Sequence, residues 1–421
     1  VAKRDLRNSL TAGDTLEVVV DNVAHGGIFV ARTEHGVVFV PEALPGERVR
    51  VEVSRVQKSF AHSELLEVLE PSSDRVEHFW PEARLDRAPE HRAGGAEFGH
   101  IKLAKQRELK TQVLREAMQR FGGVEADARV VAAPGDNDAR GLGWRTRVRL
   151  QVSEAGRQGP FAARTHNVVP VSSLPLAAPS IQRDALLDER LVGAAIVDYV
   201  ALADGSTDII ASEAGAEAGR SDTIVELVGD REFQLDRAGF WQVHREAPAL
   251  LTDAVRRAID VSLADPKAAN LDLYGGVGLF AAALGDLLGS TTRVTSVEGN
   301  EIATDHAAEN LAEWVGAQTA TASVQQYLKS TLERASAAER DRFRAATVVL
   351  DPPRAGAGEP VIDLLADYAP AQLVYVACDP VALARDTGLL RARGYELATL
   401  ESYDLFPHTH HLESVAAFRR A

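Results

Sequence analysis

The sequence predicts an α/β protein: a doubly wound, Rossmann-like domain in the C-terminal half, preceded by a small N-terminal β-barrel and a mainly β central domain. Three observations carry this reading. From about residue 240, short apolar segments alternate with helical ones, the pattern of a parallel sheet covered on both faces. Residues 13–70 hold four segments rich in Val, Ile and Phe, TLEVVVDNVA, GGIFVART, GVVFVPEA and ERVRVEVSRV, separated by Gly or Pro, which suits a small barrel. Between the two, from about residue 126 to 235, the pattern is again mostly β.

The chain has 421 residues, enough for two or three domains at roughly 150 residues each. The boundaries expected are 1–72, 73–235 and 236–421. No apolar run reaches the ~20 residues of a membrane span, and the first residues, VAKRDLRNSLTAGD, hold no apolar signal core. A single cysteine, Cys378, excludes an internal disulfide, a cysteine-rich zinc site and an iron–sulfur cluster. A cytoplasmic protein, monomeric and free of membranes, is expected. The formal net charge is −15, from 46 basic and 61 acidic residues, which argues against attachment to nucleic acid by bulk charge. Residues 101–170 depart from that balance, with 13 Lys/Arg against 7 Asp/Glu, so a local basic surface is available.

Along the chain, residues 71–100 read as a loop with Pro71, Pro81, Pro89 and a Gly94-Gly95 pair. A helix follows at about 102–121, with Leu103, Leu109, Val113, Leu114 and Met118 on one face and Lys102, Lys105, Arg107, Lys110, Arg115 and Arg120 on the other, solvated one. WRTRVRLQV alternates basic and apolar residues, so Arg145, Arg147 and Arg149 share a face suited to a polyanion, and GPFAARTHNVVPV continues the β pattern. EAGAEAG at 213–219 reads as a loop tip. Then come helix AVRRAIDVSLA, strand AANLDLYGG, helix LFAAALGDLLG, strand RVTSVEGN, helix IATDHAAENLAEW, strand ATVVLDPPRAG, helix PVIDLLADYAP, strand QLVYVACDP, helix VALARDTGLLRARG, and two final strands joined by a loop.

Four places carry chemistry. The first is Asp272-Leu-Tyr-Gly-Gly-Val-Gly-Leu-Phe280, a strand-to-helix turn whose glycines let backbone approach a ligand. Glu298 closes the next strand 26 residues after Asp272, where an acid commonly binds ribose hydroxyls, so the pair points to an adenosine-bearing cofactor. The turn reads G-G-x-G rather than G-x-G-x-x-G, which leans toward S-adenosylmethionine over a dinucleotide. The second is Asp351-Pro-Pro-Arg354, a rigid loop after TVVL whose Arg354 suits a carbonyl or phosphate oxygen. The third is Cys378, at the end of a strand 27 residues after Asp351 and on the same rim of the expected sheet. The bland alternative, a buried apolar cysteine, is weakened by that position. The fourth is His408-Thr-His-His-Leu-Glu413, in which His410 and His411 are expected to point oppositely on an extended segment, against a metal site, while Glu413 is a candidate general base.

With these residues in view, the chain resembles the RNA (uracil-5-)-methyltransferases over nearly its whole length. GGIFVA and VVFVPEALPGERV resemble the family's N-terminal TRAM domain, and WRTRVRLQV with PFAARTHNVVPV its central RNA-contacting domain. FWQVH, LDLYGGVGLF, VEGN, LDPPRAG, YVACDPVALARD and DLFPHTHHLESV follow in the family's order. The resemblance implies Cys378 as nucleophile and Glu413 as base. It further implies Gln242, Tyr274, Gly276, Glu298 and Asp351 around S-adenosyl-L-methionine, and RNA, either tRNA or rRNA, as partner, with Arg145, Arg147 and Arg354 on the substrate. Three departures stand out. The family's Cys-Gly-Gly-Cys segment reads Ala93-Gly94-Gly95-Ala96, so no iron–sulfur cluster is expected. The usual Cys-Asn-Pro reads Cys378-Asp379-Pro380, placing a negative charge beside the nucleophile that raises its pKa unless Asp379 points away. The common asparagine after Gln-Val is His244. An RNA-binding or RNA-folding factor with reduced activity is the alternative from another class, and detectable methyl transfer separates the two.

Overall fold

The computed structural model describes residues 10–163, 165–215 and 220–421. Of the loop tip expected at 213–219, residues 216–219 lie outside the described residues, as does Arg164 of the basic region and the start of the N-terminal segment, residues 1–9.

The N-terminal unit is a six-stranded sheet: β1 (Thr15–Val19), β2 (Asn22–Val23), β3 (Phe29–Thr33), β4 (Gly36–Val40), β5 (Arg48–Val56) and β6 (Phe60–Glu70), in the order β1-β5-β6-β4-β3-β2. Alternate residues such as Val49, Val51 and Val53 of β5 point inward onto Phe29, Val38 and Leu65, the period of a half-buried strand. After a loop with two short 3-10 turns comes α1 (Leu103–Ala117), which widens into a π turn over Met118–Gly122. The central region adds β7 (Val130–Ala132), β8 (Arg147–Val152), β9 (Gln158–Gly159), α2 (Pro179–Asp184), β10 (Ile196–Ala201), β11 (Thr207–Ser212), β12 (Thr223–Val228) and β13 (Arg231–Asp236). Its main sheet runs β11-β10-β8-β9 over a core containing Trp80, Trp144 and Tyr199. GPFAARTHNVVPV, read as β, forms only the two-residue β9 and isolated bridges.

The C-terminal unit alternates α3 (Ala247–Ala258), β14 (Asn270–Leu273), α4 (Leu279–Leu288), β15 (Val294–Glu298), α5 (Glu301–Asn310), β16 (Ala317–Thr321), α6 (Val324–Arg334), α7 (Ala337–Arg344), β17 (Thr347–Leu350), α8 (Gly358–Tyr368), β18 (Gln372–Ala377) and α9 (Pro380–Arg391), and ends in β19 (Tyr395–Asp404) and β20 (Glu413–Arg420). The sheet order is β16-β15-β14-β17-β18-β20-β19-β7, parallel except for β20. Its strands are apolar on both faces: Leu373 and Tyr375 of β18 enter one core, Val374 and Val376 the other, as a doubly covered sheet requires. Chain direction away from β14 reverses between β15 and β17, so a crevice opens at their carboxyl ends. Among the described residues no helix is long and apolar enough to cross a membrane.

The expected single apolar face of α1 is two. Leu109 and Val113 join the core of the N-terminal sheet, whereas Leu114, Ala117 and Met118 join that of the C-terminal unit. Lys110, assigned to a solvated face, is fully buried and donates to Asp404 Oδ1 at 2.5 Å and to the Phe406 carbonyl at 3.0 Å. Its burial is sustained because the helix is enclosed on both sides and Asp404 supplies the counter-charge. Lys110→Met leaves Asp404 buried without that partner, so the denaturant midpoint should fall by an amount equivalent to about 3–5 kcal/mol, with Lys110→Met/Asp404→Leu recovering most of the loss. A single variant as stable as the parent would show the pair contributes nothing.

Candidate active site

The crevice is lined first by the turn after β14. Tyr274 and Gly276 both take left-handed backbone, φ +61° and +54°, so the chain reverses sharply before α4 begins. Tyr274 is strained there, a cost that concentrates at ligand-binding turns. Gly275 is required for another reason: a Cβ would stand 2.1 Å from Ser296 Oγ on the neighbouring strand. Beneath the turn, buried Asp272 accepts from the Ala281 amide at 2.9 Å at the start of α4. Burial pushes its carboxyl up to about 7. Glu298, at the end of β15, accepts from the amides of Gly276 at 3.1 Å and Asn300 at 2.8 Å and faces the crevice. With Val277, Ile302 and Ala303 alongside, this is an acceptor for a ribose diol next to an apolar wall for a flat base. Gly276 leaves open space where a Cβ would project. The residues present therefore fit an adenosine-bearing cofactor.

The second wall is the loop after β17. Asp351 donates its amide to the Leu273 carbonyl at 3.2 Å, which sets it beside the Tyr274 turn. The loop is held from behind by Asp386 of α9, whose Oδ2 accepts from the amides of Ala357 at 2.8 Å and Gly358 at 3.2 Å and from the Tyr375 hydroxyl at 2.7 Å. Asp386 was legible only as an acid in a helical stretch; its role depends on a fold contact 29 residues away.

The third wall pairs β18 with β20. Ala377 lies opposite Ser414 in this antiparallel register, so Cys378, just past the end of β18, and Glu413, the first residue of β20, emerge at the same edge of the sheet and line the same cavity. Cys378 is half-buried and Glu413 buried. Burial, then Glu413 and Asp351, push the Cys378 thiol up to about 12, with the Arg354 cation opposing. Burial and Asp351 likewise raise the Glu413 carboxyl well above the carboxylate range, and burial and Asp272 raise Asp351.

One cavity of about 1640 Å³ connects these walls. Of the residues singled out from sequence, Arg145, Gln242, Tyr274, Gly276, Glu298, Asp351, Arg354, Cys378 and Glu413 all line it. Arg147 does not. Its guanidinium turns the other way and donates to the carbonyls of Arg237 at 3.0 Å and Gly239 at 2.7 Å, which ties β8 to the β13 turn. Nor is Arg149 free: it makes a two-pronged pair with Asp198 at 2.8 and 2.9 Å on the adjacent strand. The basic face expected of β8 thus reduces to Arg145, which precedes the strand. Its Nε donates to the Arg147 carbonyl, and burial and the nearby Arg354 lower its pKa. Arg354 is exposed to the cavity and has no hydrogen-bond or ion-pair partner among the described residues.

The histidine segment also differs from expectation. The His410 and His411 rings lie against each other, centroids 3.9 Å apart and planes tilted by 38°, rather than pointing oppositely, because the segment bends before β20. His410 is anchored by Glu97 and His408 by Gln106 of α1 at 3.1 Å. His244, in place of the common asparagine, is buried, approaches Asp136 at 3.1 Å, accepts from the Glu246 amide at the start of α3 and stacks on Trp144. Ala93 and Ala96 pack in the central core, and the intervening turn is fixed by the Gly94 amide donating to the Phe161 carbonyl at 3.1 Å. Sequence reasoning missed Phe240, which is 72% exposed and lies at the cavity wall beside Gln242. The signal was present in FWQVH, an aromatic with no apolar partner in its period.

The chain is similar to known RNA methyltransferases. The family model described as tRNA (Uracil-5-)-methyltransferase matches residues 236–421, and the TRAM domain model matches residues 10–66. An uncharacterised RNA methyltransferase of Streptomyces avermitilis is 36% identical, the alignment covering 97% of this chain and 99% of the relative. A 23S rRNA (uracil(1939)-C(5))-methyltransferase of Alkalilimnicola ehrlichii is 28% identical, with 97% of each chain covered. Among solved structures, the tRNA (uracil-54, C5)-methyltransferase of Pyrococcus abyssi in complex with S-adenosyl-L-homocysteine superposes with a TM-score of 0.68 at 21% identity, covering 96% of this chain and 99% of that one.

The raised thiol pKa has a measurable sign. An acid whose pKa is raised is less ionised at every pH below it, and alkylation requires the thiolate. Because Cys378 is the sole cysteine, iodoacetamide reports on it alone. In the ligand-free protein its alkylation at pH 8 should be slower than that of free cysteine by about 100-fold or more, still rising roughly tenfold per pH unit between 7 and 9 without a plateau. A plateau below pH 8 would mean that the thiol is already ionised there.

Proposed function

The chain belongs to the tRNA (uracil-5-)-methyltransferase family, and on that premise we propose that it methylates carbon 5 of a uridine in structured RNA, tRNA or rRNA, through a covalent bond between Cys378 and the base. The observation that carries the reading is that Cys378, at the end of β18, and Glu413, at the start of the neighbouring β20, line one cavity that also presents Glu298 and Asp351.

S-adenosyl-L-methionine, the family's cofactor, supplies an electrophilic methyl group carried on a sulfonium cation. Glu298 would accept the ribose hydroxyls, Val277 and Ile302 would flank the base, and Gln242, Tyr274, Gly276 and Asp351, which line the same cavity, would enclose the remainder. Carbon 5 of uracil is a poor nucleophile on its own. The Cys378 thiolate adds to carbon 6, and the electron pair of the 5,6 double bond is displaced toward the carbonyl oxygen at position 4 as an enolate. Carbon 5 then has the electron density to take the methyl group, whose bond to sulfur would break with the electron pair returning to sulfur to leave a neutral thioether. Glu413 removes the proton remaining on carbon 5, that pair re-forms the 5,6 double bond, and the bond from Sγ to carbon 6 breaks, returning the thiolate. Arg354, with no hydrogen-bond or ion-pair partner among the described residues, is suited to the enolate oxygen or an adjacent phosphate, and Arg145 faces the same space. The uridine reaches such a cavity only by leaving its stack, and exposed Phe240 offers a surface for a displaced base.

Cys378→Ala should abolish both methyl transfer from labelled S-adenosyl-L-methionine and the enzyme–RNA adduct, since the sequence holds no second cysteine. Methylation near the parent rate would remove Cys378 from the mechanism.

Glu413→Gln should complete one methyl transfer and then stop. Glutamine keeps the shape but cannot accept the carbon 5 proton, so a methylated adduct should accumulate as a band stable to denaturation, with later turnovers slowed about 10²–10⁴-fold. A folded variant that turns over repeatedly without adduct would assign the base elsewhere. Mapping 5-methyluridine in tRNA and rRNA from cells with and without the gene identifies the substrate.

A further inference from the structure

The turn between β2 and β3 belongs to the N-terminal sheet, yet it reaches the catalytic strand ends. Gly26 and Gly27 line the main cavity, and Gly27 lies so close to His410 that a Cβ there would stand 2.6 Å from the histidine's own Cβ. Between them, His25 Nε2 lies 2.7 Å from Asp379 Oδ2. Asp379 directly follows Cys378 and is the N-cap of α9, its Oδ1 accepting from the amides of Val381 at 3.0 Å and Ala382 at 2.8 Å. The carboxylate is therefore divided: one oxygen caps the helix, and the other is held by His25.

Capping alone does not call for a charge, because asparagine caps as well as aspartate. What aspartate adds is a negative charge next to a thiol that Glu413 and Asp351 already disfavour as thiolate. We propose that His25 is a positioning residue for methyl transfer: by pairing with Asp379 it neutralises that charge, so that the N-terminal sheet, docked over the strand ends, sets the reactivity of Cys378. The inference rests on the reading of Cys378 as nucleophile. The pair is mutually reinforcing. The Asp379 hydrogen bond raises the His25 pKa, and although burial pushes Asp379 up, His25 and the α9 amides hold it below its ordinary value. The other ionisable groups around the thiol are Glu413, Asp351 and Arg354, and Lys110, His410 and His411 share with His25 a small cavity of about 20 Å³ against Cys378. None of these hydrogen-bonds Asp379 among the described residues, which leaves His25 as its counter-charge. A half-exposed pair of this kind contributes little to stability, so its consequence is local.

The test is a double-variant cycle on the full chain: parent, His25→Ala, Asp379→Asn, and both together, each checked for an unchanged thermal midpoint. Two readouts are taken from pH 6 to 9, the iodoacetamide rate of Cys378 and the methyl-transfer rate at saturating S-adenosyl-L-methionine, with the effect of His25 read at the acidic end, where its imidazole is charged. His25→Ala should slow alkylation by about 3–10-fold, the effect of a shift of up to one pKa unit, and slow methyl transfer with little change in the KM for the methyl donor. In the Asp379→Asn background the same histidine change should have no effect, because no charge remains to neutralise. Alkylation unchanged by His25→Ala, or slowed equally in both backgrounds, would overturn the proposal; the latter result would make the contact purely structural. Methyl transfer unmoved across a cycle in which alkylation shifts would overturn the positioning role. Failure of the nucleophile reading itself appears separately, as full activity of Cys378→Ala.

Discussion

The chemistry of this site is governed by negative charge confined in a desolvated crevice. Asp272, Asp351 and Glu413 are each pushed toward their protonated forms by burial, and Asp351 is raised further by Asp272 and Glu413 by Asp351. The same fields fall on Cys378. In the absence of a cationic ligand the protonated forms of these groups are favoured relative to free carboxyls, because each ionisation makes the next more costly. A cation bound beside Asp351 changes the balance in one step, lowering the thiol and the carboxyls together.

That arrangement is a consequence of sheet topology. In a wholly parallel sheet the residue opposite the end of β18 would be the end of its neighbour, and loops would have to supply the base. Here β20 runs against β18, so the end of one strand meets the start of the next, and Cys378 and Glu413 come to the same edge of the sheet. The residue proposed as base is therefore held on regular structure rather than on a loop. Ser414 hydrogen-bonds Ser402 on the far side at 2.9 Å, and Tyr403 pairs with Glu413 in the β19 register, which fixes β20 from both sides. A carboxylate that must reach one particular proton gains from that rigidity.

Much of this was legible in sequence because its signals are local. The strand-then-turn pattern of Asp272–Phe280, the acid closing β15 and the proline-fixed loop after β17 are each set within a few residues, and all reach the cavity. What was not legible depends on partners far apart in the chain. Lys110 looks like a surface cation until Asp404 is brought beside it, and the alternation of Arg145, Arg147 and Arg149 looks like one basic face until β10 and the β13 turn claim two of the three. Alternation tells which residues share a side of a strand, not whether that side is covered. His25 gave no signal at all, since its partner is 354 residues away.

A further set of distant contacts converges on one segment, the bend between β19 and β20. Its anchors come from outside the α/β unit: Gln106 of α1 bonds both the amide and the ring of His408, Glu97 holds His410, and the Phe98 amide donates to the His408 carbonyl. His408 sits at φ +67°, a conformation a non-glycine residue keeps only when its surroundings enforce it. The same helix fills the N-terminal core with Leu109 and the catalytic core with Leu114. The strand that presents Glu413 is thus entered through a bend whose shape is imposed by α1 and the loop before it, and α1 is in turn clamped between two cores. The N-terminal sheet is for this reason part of the catalytic framework: moving it disturbs α1, and through α1 the approach to Glu413.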